Sequence, residues 1–285
     1  MNTTTHAGAA KIKTAHAETE GRKIAYRVIG TGEPIIWCNR FRGTMDDWDP
    51  AFIDRLAKKH SVIIFDYSGV GLSTGELPTD ISQVANDVKD LAAVLQLEKF
   101  IIGGWSYGGL VAQIFSTHYP KMITHTILIG TKPPGQNEYP TEQLFIDTAS
   151  HLHNDFEDEV ILFFEPASEL SRQSARLSHE RIAERVTDKD IPVPEATWKR
   201  YFQGGIDYTV DNFNAREKLM QLEKPVLVIS GDHDLVFPVE NWYALTRTMP
   251  NLYLVVLPQS GHGPQHQYPK LCAKYIIDFI KSSQH

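Results

Sequence analysis

Residues 100–118 constrain the fold more than any other stretch of this chain. Phe100, Ile101 and Ile102 make a short apolar run of strand-forming residues closed by Gly103 and Gly104, whereas Leu110, Val111, Ile114 and Phe115 recur at helical spacing until Pro120. Ser106 falls at the corner between the two patterns, inside Gly104-Trp105-Ser106-Tyr107-Gly108. So sharp a strand-to-helix turn strains the serine backbone, and glycines flank it because side chains there would collide with the strand and the helix. The pattern G-x-S-x-G is short enough to occur by chance. The strand before it and the helix after it make it specific, and they expose the serine as a nucleophile.

The rest of the chain supplies the sheet that such a corner needs. Strands are expected near 11–18, 24–29, 34–39, 61–66, 100–104, 124–129, 226–230 and 252–257. Helices are expected at 50–59, 81–95, 107–118, 240–247 and 269–282. Asp80 with Gln83 reads as the cap of the second helix. Strands that alternate with helices and run nearly continuously apolar, as in Val226-Leu227-Val228-Ile229 and Leu252 to Leu257, imply parallel pairing with both faces covered. The fold class is α/β, a mostly parallel eight-stranded sheet flanked by helices, with two early strands as an antiparallel start. A chain of 285 residues, 42% hydrophobic, builds such a core without metal or disulfide. The opening ten residues, rich in Thr and Ala, read as disordered.

Residues 131–220 break the alternation. After Lys132-Pro133-Pro134-Gly135 come helical patterns around 141–153, 157–164, 167–187 and 195–203 with no strand between them, and sheet character resumes at Lys224-Pro225-Val226. The segment reads as a helical cap inserted after the sixth strand, lying over the carboxyl ends of the strands. Residues 1–130 and 221–285 are then the core. Ordinary helices on the flank of the sheet are the plainer alternative.

A nucleophilic serine needs a base, and the base an orienting acid. In Ser260-Gly261-His262-Gly263 a histidine lies between glycines just after the last strand, a loop that lets an imidazole swing over the strand ends. Of 12 histidines, His262 is the candidate base by position. Asp232 and Asp234 both follow the seventh strand, and spacing alone does not choose between them. An aspartate directly after a glycine is well placed to close its own turn, so Asp232 reads as structural and Asp234 as the acid.

With these residues in place the chain resembles an α/β-hydrolase with a helical cap. Four separated matches carry the resemblance: Asp66-Tyr67-Ser68-Gly69-Val70-Gly71-Leu72-Ser73, like the family's D-x-x-G-x-G-x-S loop; the corner at Ser106; Gly231-Asp232-His233-Asp234 with Pro238, like its G-x-x-D-x-x-x-P; and Ser260-Gly261-His262. It covers the chain beyond the first ten or twenty residues. The resemblance implies a Ser106, Asp234, His262 triad in that order and favours Asp234 over Asp232. It also implies that Asp66 and the Gly69–Gly71 loop are structural. The backbone amides of Phe41 and Tyr107 are the oxyanion donors it implies, the second reinforced by the positive end of its helix. Relatives carry His-Gly before the first donor. Here the text is Cys38-Asn39-Arg40-Phe41-Arg42-Gly43, with Arg40 where a glycine is expected.

Arg40 and Arg42 are candidates for holding a substrate carboxylate or phosphate, set against solvated loop charges paired with Asp46, Asp47 or Asp49. Trp105 is a candidate pocket residue, set against ordinary packing. The expected function is a serine hydrolase of a small carboxylic ester, lactone or related acyl substrate, working through an acyl-enzyme. Hydrolysis of carbon-carbon bonds and perhydrolysis stay open, as does a receptor that uses the same pocket with little turnover. A serine at 106 speaks against branches of the family that would carry aspartate there. No metal or cofactor is expected, because the chain has no HExxH, no Cys/His cluster and no dinucleotide fingerprint. A net charge of −7 with no Lys/Arg stripe argues against nucleic acid and membrane surfaces. Without a signal-like or membrane-length apolar run, a cytoplasmic protein is expected. Cys38 and Cys272 read as buried thiols.

Overall fold

The computed structural model describes residues 8–283. Its strands are β1 (Ala15–Thr19), β2 (Arg22–Ile29), β3 (Pro34–Cys38), β4 (Ser61–Phe65), β5 (Phe100–Trp105), β6 (Ile123–Ile129), β7 (Val226–Gly231) and β8 (Leu252–Leu257). They form one sheet in the order β1-β2-β4-β3-β5-β6-β7-β8. β2 pairs antiparallel with β1 and β4, and every later pairing is parallel. The antiparallel start and the parallel body are as the alternation of patterns implied.

Each face of the sheet has its own core. On one face lie α2 (Ile81–Val94) and α3 (Tyr107–His118), which set Val84, Val88, Leu91, Val111, Ile114 and Phe115 against Ile36, Ile63, Ile102 and Val228. The other face is covered by α1 (Pro50–Leu56) and α11 (Pro269–Ser282), whose Phe52, Ile53, Ile276 and Ile280 pack on Trp37, Ile101, Ile127 and Ile229. Each such side chain, fully buried, contributes about 1.5–3 kcal/mol. The free thiols of Cys38 and Cys272 lie in opposite cores.

Two local readings need correction. Asp80 caps α2 by accepting from the Ser82 amide at 2.8 Å, while Gln83 bonds it through the backbone alone, its amide donating to the Asp80 carbonyl. β8, read as covered on both faces, is the edge of the sheet, with Tyr253 and Val256 exposed. Of the opening ten residues, 1–7 lie outside the described ones. Gly8–Ala10 are ordered: the Ala9 amide donates to Asp54 Oδ1 at 2.7 Å, and its carbonyl accepts from Arg185.

Between β6 and β7 the described chain is helical: α4 (Gln143–Ala149), α5 (Phe156–Phe163), α6 (Glu169–Ala183), α7 (Glu195–Val210) and α8 (Ala215–Met220). Asp155 caps α5 through the Asp158 amide, and Ser168 accepts from the Ser171 amide at the start of α6. α7 runs seven residues beyond its expected end, carrying Tyr208 into the core beside α3. Two short helices, α9 (Glu240–Tyr243) and α10 (Pro264–Gln267), complete the set.

Candidate active site

Ser106 joins β5 to α3 at φ 59° and ψ −122°, a conformation that non-glycine residues avoid. The packing around the corner explains why the chain accepts it. A Cβ on Gly104 would stand 2.0 Å from the Gly108 carbonyl oxygen, and one on Gly108 would stand 2.0 Å from that of Cys38. Helix, strand and the end of β3 therefore meet backbone to backbone. The Ser106 amide is fixed by donating to the Ile129 carbonyl at 2.9 Å.

This close approach brings the loop after β3 beside the first turn of α3. Tyr107 is the first residue of the helix, so its amide is one of the donors that a helix leaves unpaired. Neither the Phe41 nor the Tyr107 amide donates to a backbone carbonyl among the described residues. The loop itself is braced from behind. Asn39 donates to the Phe65 carbonyl and accepts from the Trp48 indole, while Asp66 accepts from the Met45 and Leu72 amides. Burial raises the Asp66 carboxyl well above its ordinary range.

His262 and Asp234 lie on the two loops that follow β8 and β7. His262 Nδ1 is 2.8 Å from Asp234 Oδ2, with both side chains buried. Asp234 Oδ1 accepts from the Val236 and Phe237 amides at 3.0 and 2.9 Å, which holds the carboxylate in one orientation. Asp232 faces elsewhere: its carboxylate accepts from the Ser260 amide and meets His233 Nδ1 at 2.7 Å. Desolvation pushes Asp232 up, but bonds from His233 and the Ser260 and Gln259 amides outweigh it and leave its pKa lowered. Phe145 and Phe237 pack edge-on against the His262 ring. His262 Nε2 is buried without a hydrogen-bond partner among the described residues.

Ser106 and His262 line one cavity of about 130 Å³, closed by Phe41, Phe145, Leu162 and Phe163 and by the polar side chains of Arg40, Arg42, Asn154 and Glu159. The other substrate-site candidates are already engaged within the fold. Arg40 Nη2 pairs with Asp47 at 2.6 Å, and Nη1 donates to the Phe41 carbonyl. Arg42 donates to the carbonyls of Ala149, His151 and Leu152 and lies over the Trp198 ring at 3.9 Å. Trp105 is buried on the far side of the corner, its indole donating to the His262 carbonyl at 2.8 Å. Its ring lies 4.6 Å from that of His266, the two planes tilted by 54°. His266 belongs to the short α10, and burial pushes its pKa down to about 4.

Pattern reading missed a group that fastens this loop to the inserted helices. The Asp46 amide donates to Asp190 Oδ2 and the Asp190 amide to Asp46 Oδ2, while Arg27, buried beneath them, bonds both carboxylates. Arg185 Nε stands 2.9 Å from Asp46. Burial pushes the Asp190 carboxyl up to about 6, against the pull of Arg27. Asp190 lies 144 residues from Asp46 and 163 from Arg27 in sequence, so no local signal marks the group.

Residues 33–269 match the family model described as alpha/beta hydrolase fold. The chain is 24% identical over 276 residues to a putative carbamate hydrolase, RutD, of Agrobacterium fabrum, covering 93% of this chain and 97% of that protein. It is 27% identical over 238 residues to the pimeloyl-[acyl-carrier protein] methyl ester esterase of Yersinia enterocolitica, covering 81% and 87%. Among solved structures, an alpha/beta hydrolase fold protein from Chitinophaga pinensis superposes with a TM-score of 0.84 at 27% identity, covering 97% of this chain and all of that one. No helix among the described residues is long and apolar enough to cross a membrane.

Proposed function

The chain belongs to the alpha/beta hydrolase fold family, and from that premise we propose that it is a serine hydrolase of small carboxylic esters, lactones or related acyl compounds. Ser106 is the nucleophile, His262 the base and Asp234 the orienting acid. The observation that carries this reading is the His262 ring, held at 2.8 Å by Asp234 through Nδ1 while it lines the same cavity as Ser106. The relatives named as carbamate hydrolase and methyl ester esterase support acyl chemistry.

In the proposed mechanism Ser106 Oγ attacks the substrate carbonyl and His262 Nε2 takes its proton. Asp234 fixes the tautomer that leaves Nε2 free to accept and stabilises the imidazolium that forms. The Phe41 and Tyr107 amides receive the oxyanion, where each donor is worth about 3–4 kcal/mol of transition-state stabilisation. His262 then protonates the leaving group, and water activated by the same nitrogen releases the acyl group. We read residues 131–220 as the cap over this site, since α4 and α5 supply Phe145, Ala149, Leu162 and Phe163 to its cavity. Residues 1–130 and 221–285 are the core.

Fluorophosphonate labelling with turnover of a short-chain chromogenic ester tests this reading. Wild type is expected to label once and turn over, and Ser106→Ala to do neither while remaining folded. Folded wild type that neither labels nor turns over, with Ser106→Ala binding the same ligands, would establish the receptor instead.

A further inference from the structure

Two cavities lie beneath the inserted helices, and they share a wall. The first is the 130 Å³ space beside Ser106. The second, about 250 Å³, runs under α6 past Trp105, Phe164, Ala175 and His266, with Asp46, Asp47, Arg185 and Lys189 at its charged end. Arg40, Glu159 and Phe163 line both. The Arg40 guanidinium stands 4.8 Å from the Phe163 ring centroid, a cation packed on an aromatic face.

Arg40 is poorly placed to capture an anion. Asp47 and the Phe41 carbonyl already engage its two terminal nitrogens, and only Nε is buried without a partner among the described residues. What it offers the cavity is bulk in a fixed position. Phe163 is fixed too, because its carbonyl accepts from the Gly263 amide at 2.7 Å and its ring packs on Trp105.

We propose that the Arg40–Phe163 stack is a partition that sets the length of chain the Ser106 site accepts, and that the cavity under α6 is an extension of that site closed off by it. The inference deepens the hydrolase reading and rests on it for the identity of the substrate. An apolar cavity of about 150 Å³ takes a benzene-sized guest, so the space beside Ser106 suits an acyl or alkoxy group of about six heavy atoms or fewer. Removing the partition nearly triples the space next to the serine. Truncating Arg40 need not collapse its loop, since Asp47 Oδ2 still accepts from the Thr44 amide.

The test uses Arg40→Ala and, from the opposite side of the wall, Phe163→Ala. Each is assayed on p-nitrophenyl esters from acetate to decanoate and on acetate esters of alcohols of rising length. In at least one series the kcat/KM ratio of the eight-carbon to the four-carbon substrate should rise about tenfold or more in both variants, the scale on which hydrophobic pockets discriminate. A ratio within twofold of wild type in both series, in protein that still labels with fluorophosphonate, overturns the partition. Calorimetric titration with 1-butanol and 1-octanol, in the Ser106→Ala background with and without Arg40→Ala, reads the wall without turnover. A gain for octanol alone supports the partition even if the hydrolase reading fails, and no gain removes it whatever the turnover.

Discussion

Asp46 and Asp190 hold each other by their backbone amides, each amide donating to the other's carboxylate at 2.7 and 2.8 Å. Two like charges tolerate this approach because Arg27 lies buried between them, bonded to both. Replacing Asp190 by Ala leaves the Asp46 amide without its acceptor and a buried guanidinium short of one partner. The expected loss is about 3 kcal/mol of unfolding free energy, measured by urea titration at pH 8, where the wild-type carboxylate is ionised. A loss below about 0.5 kcal/mol, the range of ordinary surface substitutions, would show that the contact is incidental.

The two aspartates after β7 should separate cleanly in kinetics. Asp234→Asn is expected to lower kcat about 10⁴-fold, the effect of a wrong histidine tautomer, with an unchanged circular dichroism spectrum. Asp232→Ala removes the acceptor that ties the loop of Asp232 to that of Ser260, so it should cost about 1 kcal/mol of stability and leave kcat within about tenfold. The reverse ranking would reassign the acid.

Much of this site could be read from the sequence, and the reason is local geometry. Ser106 declares itself because strand, turn and helix are contiguous, and His262 because its loop closes a strand pattern. The choice of Asp234 over Asp232 rests on Gly231 and on the resemblance rather than on spacing, and the fold places Asp234 beside His262 while Asp232 faces Ser260 and His233. Arg40 and Arg42 were legible as charges near the site but not as engaged ones: the partners of Arg42 are carbonyls more than 100 residues away. α8 and α10 span six and four residues, too short to show a helical period.

Gly108 and Gly205 should respond oppositely to alanine. At Gly108 the new methyl meets the Cys38 carbonyl carbon and oxygen, neither of which can yield without moving β3. Gly108→Ala is therefore expected to lose more than about 3 kcal/mol, beyond the usual range for single substitutions, or to express insolubly. At Gly205, inside α7, nothing lies within 4 Å. Gly205→Ala should gain about 0.5–1 kcal/mol in urea unfolding from helix propensity alone.

His266 should set part of the acid sensitivity of the fold. Its folded pKa of about 4 lies below the ordinary value of 6.5, burial being the main cause. Between those values the unfolded chain binds the extra proton, so stability falls as pH drops from 6.5 and levels off below 4. The contribution at the acid end is about 3 kcal/mol. In His266→Phe the fall of unfolding free energy between pH 6.5 and 4 should be shallower by that order. An unchanged slope would mean that the ring is already reached by solvent.

Besides the Asp46–Asp190 pair, two further ties fasten the inserted helices to loops of the site. Arg42, in the loop that carries Phe41, donates to three carbonyls at the end of α4 and beyond, and on the other side the Glu142 amide donates to the carbonyl of Leu235, next to Asp234. A segment tied in this way is not an interchangeable cassette. Grafting the corresponding helices of another hydrolase onto this sheet would discard the restraints on both loops along with the old pocket walls. Changing specificity by exchange of parts would therefore require the donor's loops at 39–47 and 232–238 to travel with its helices.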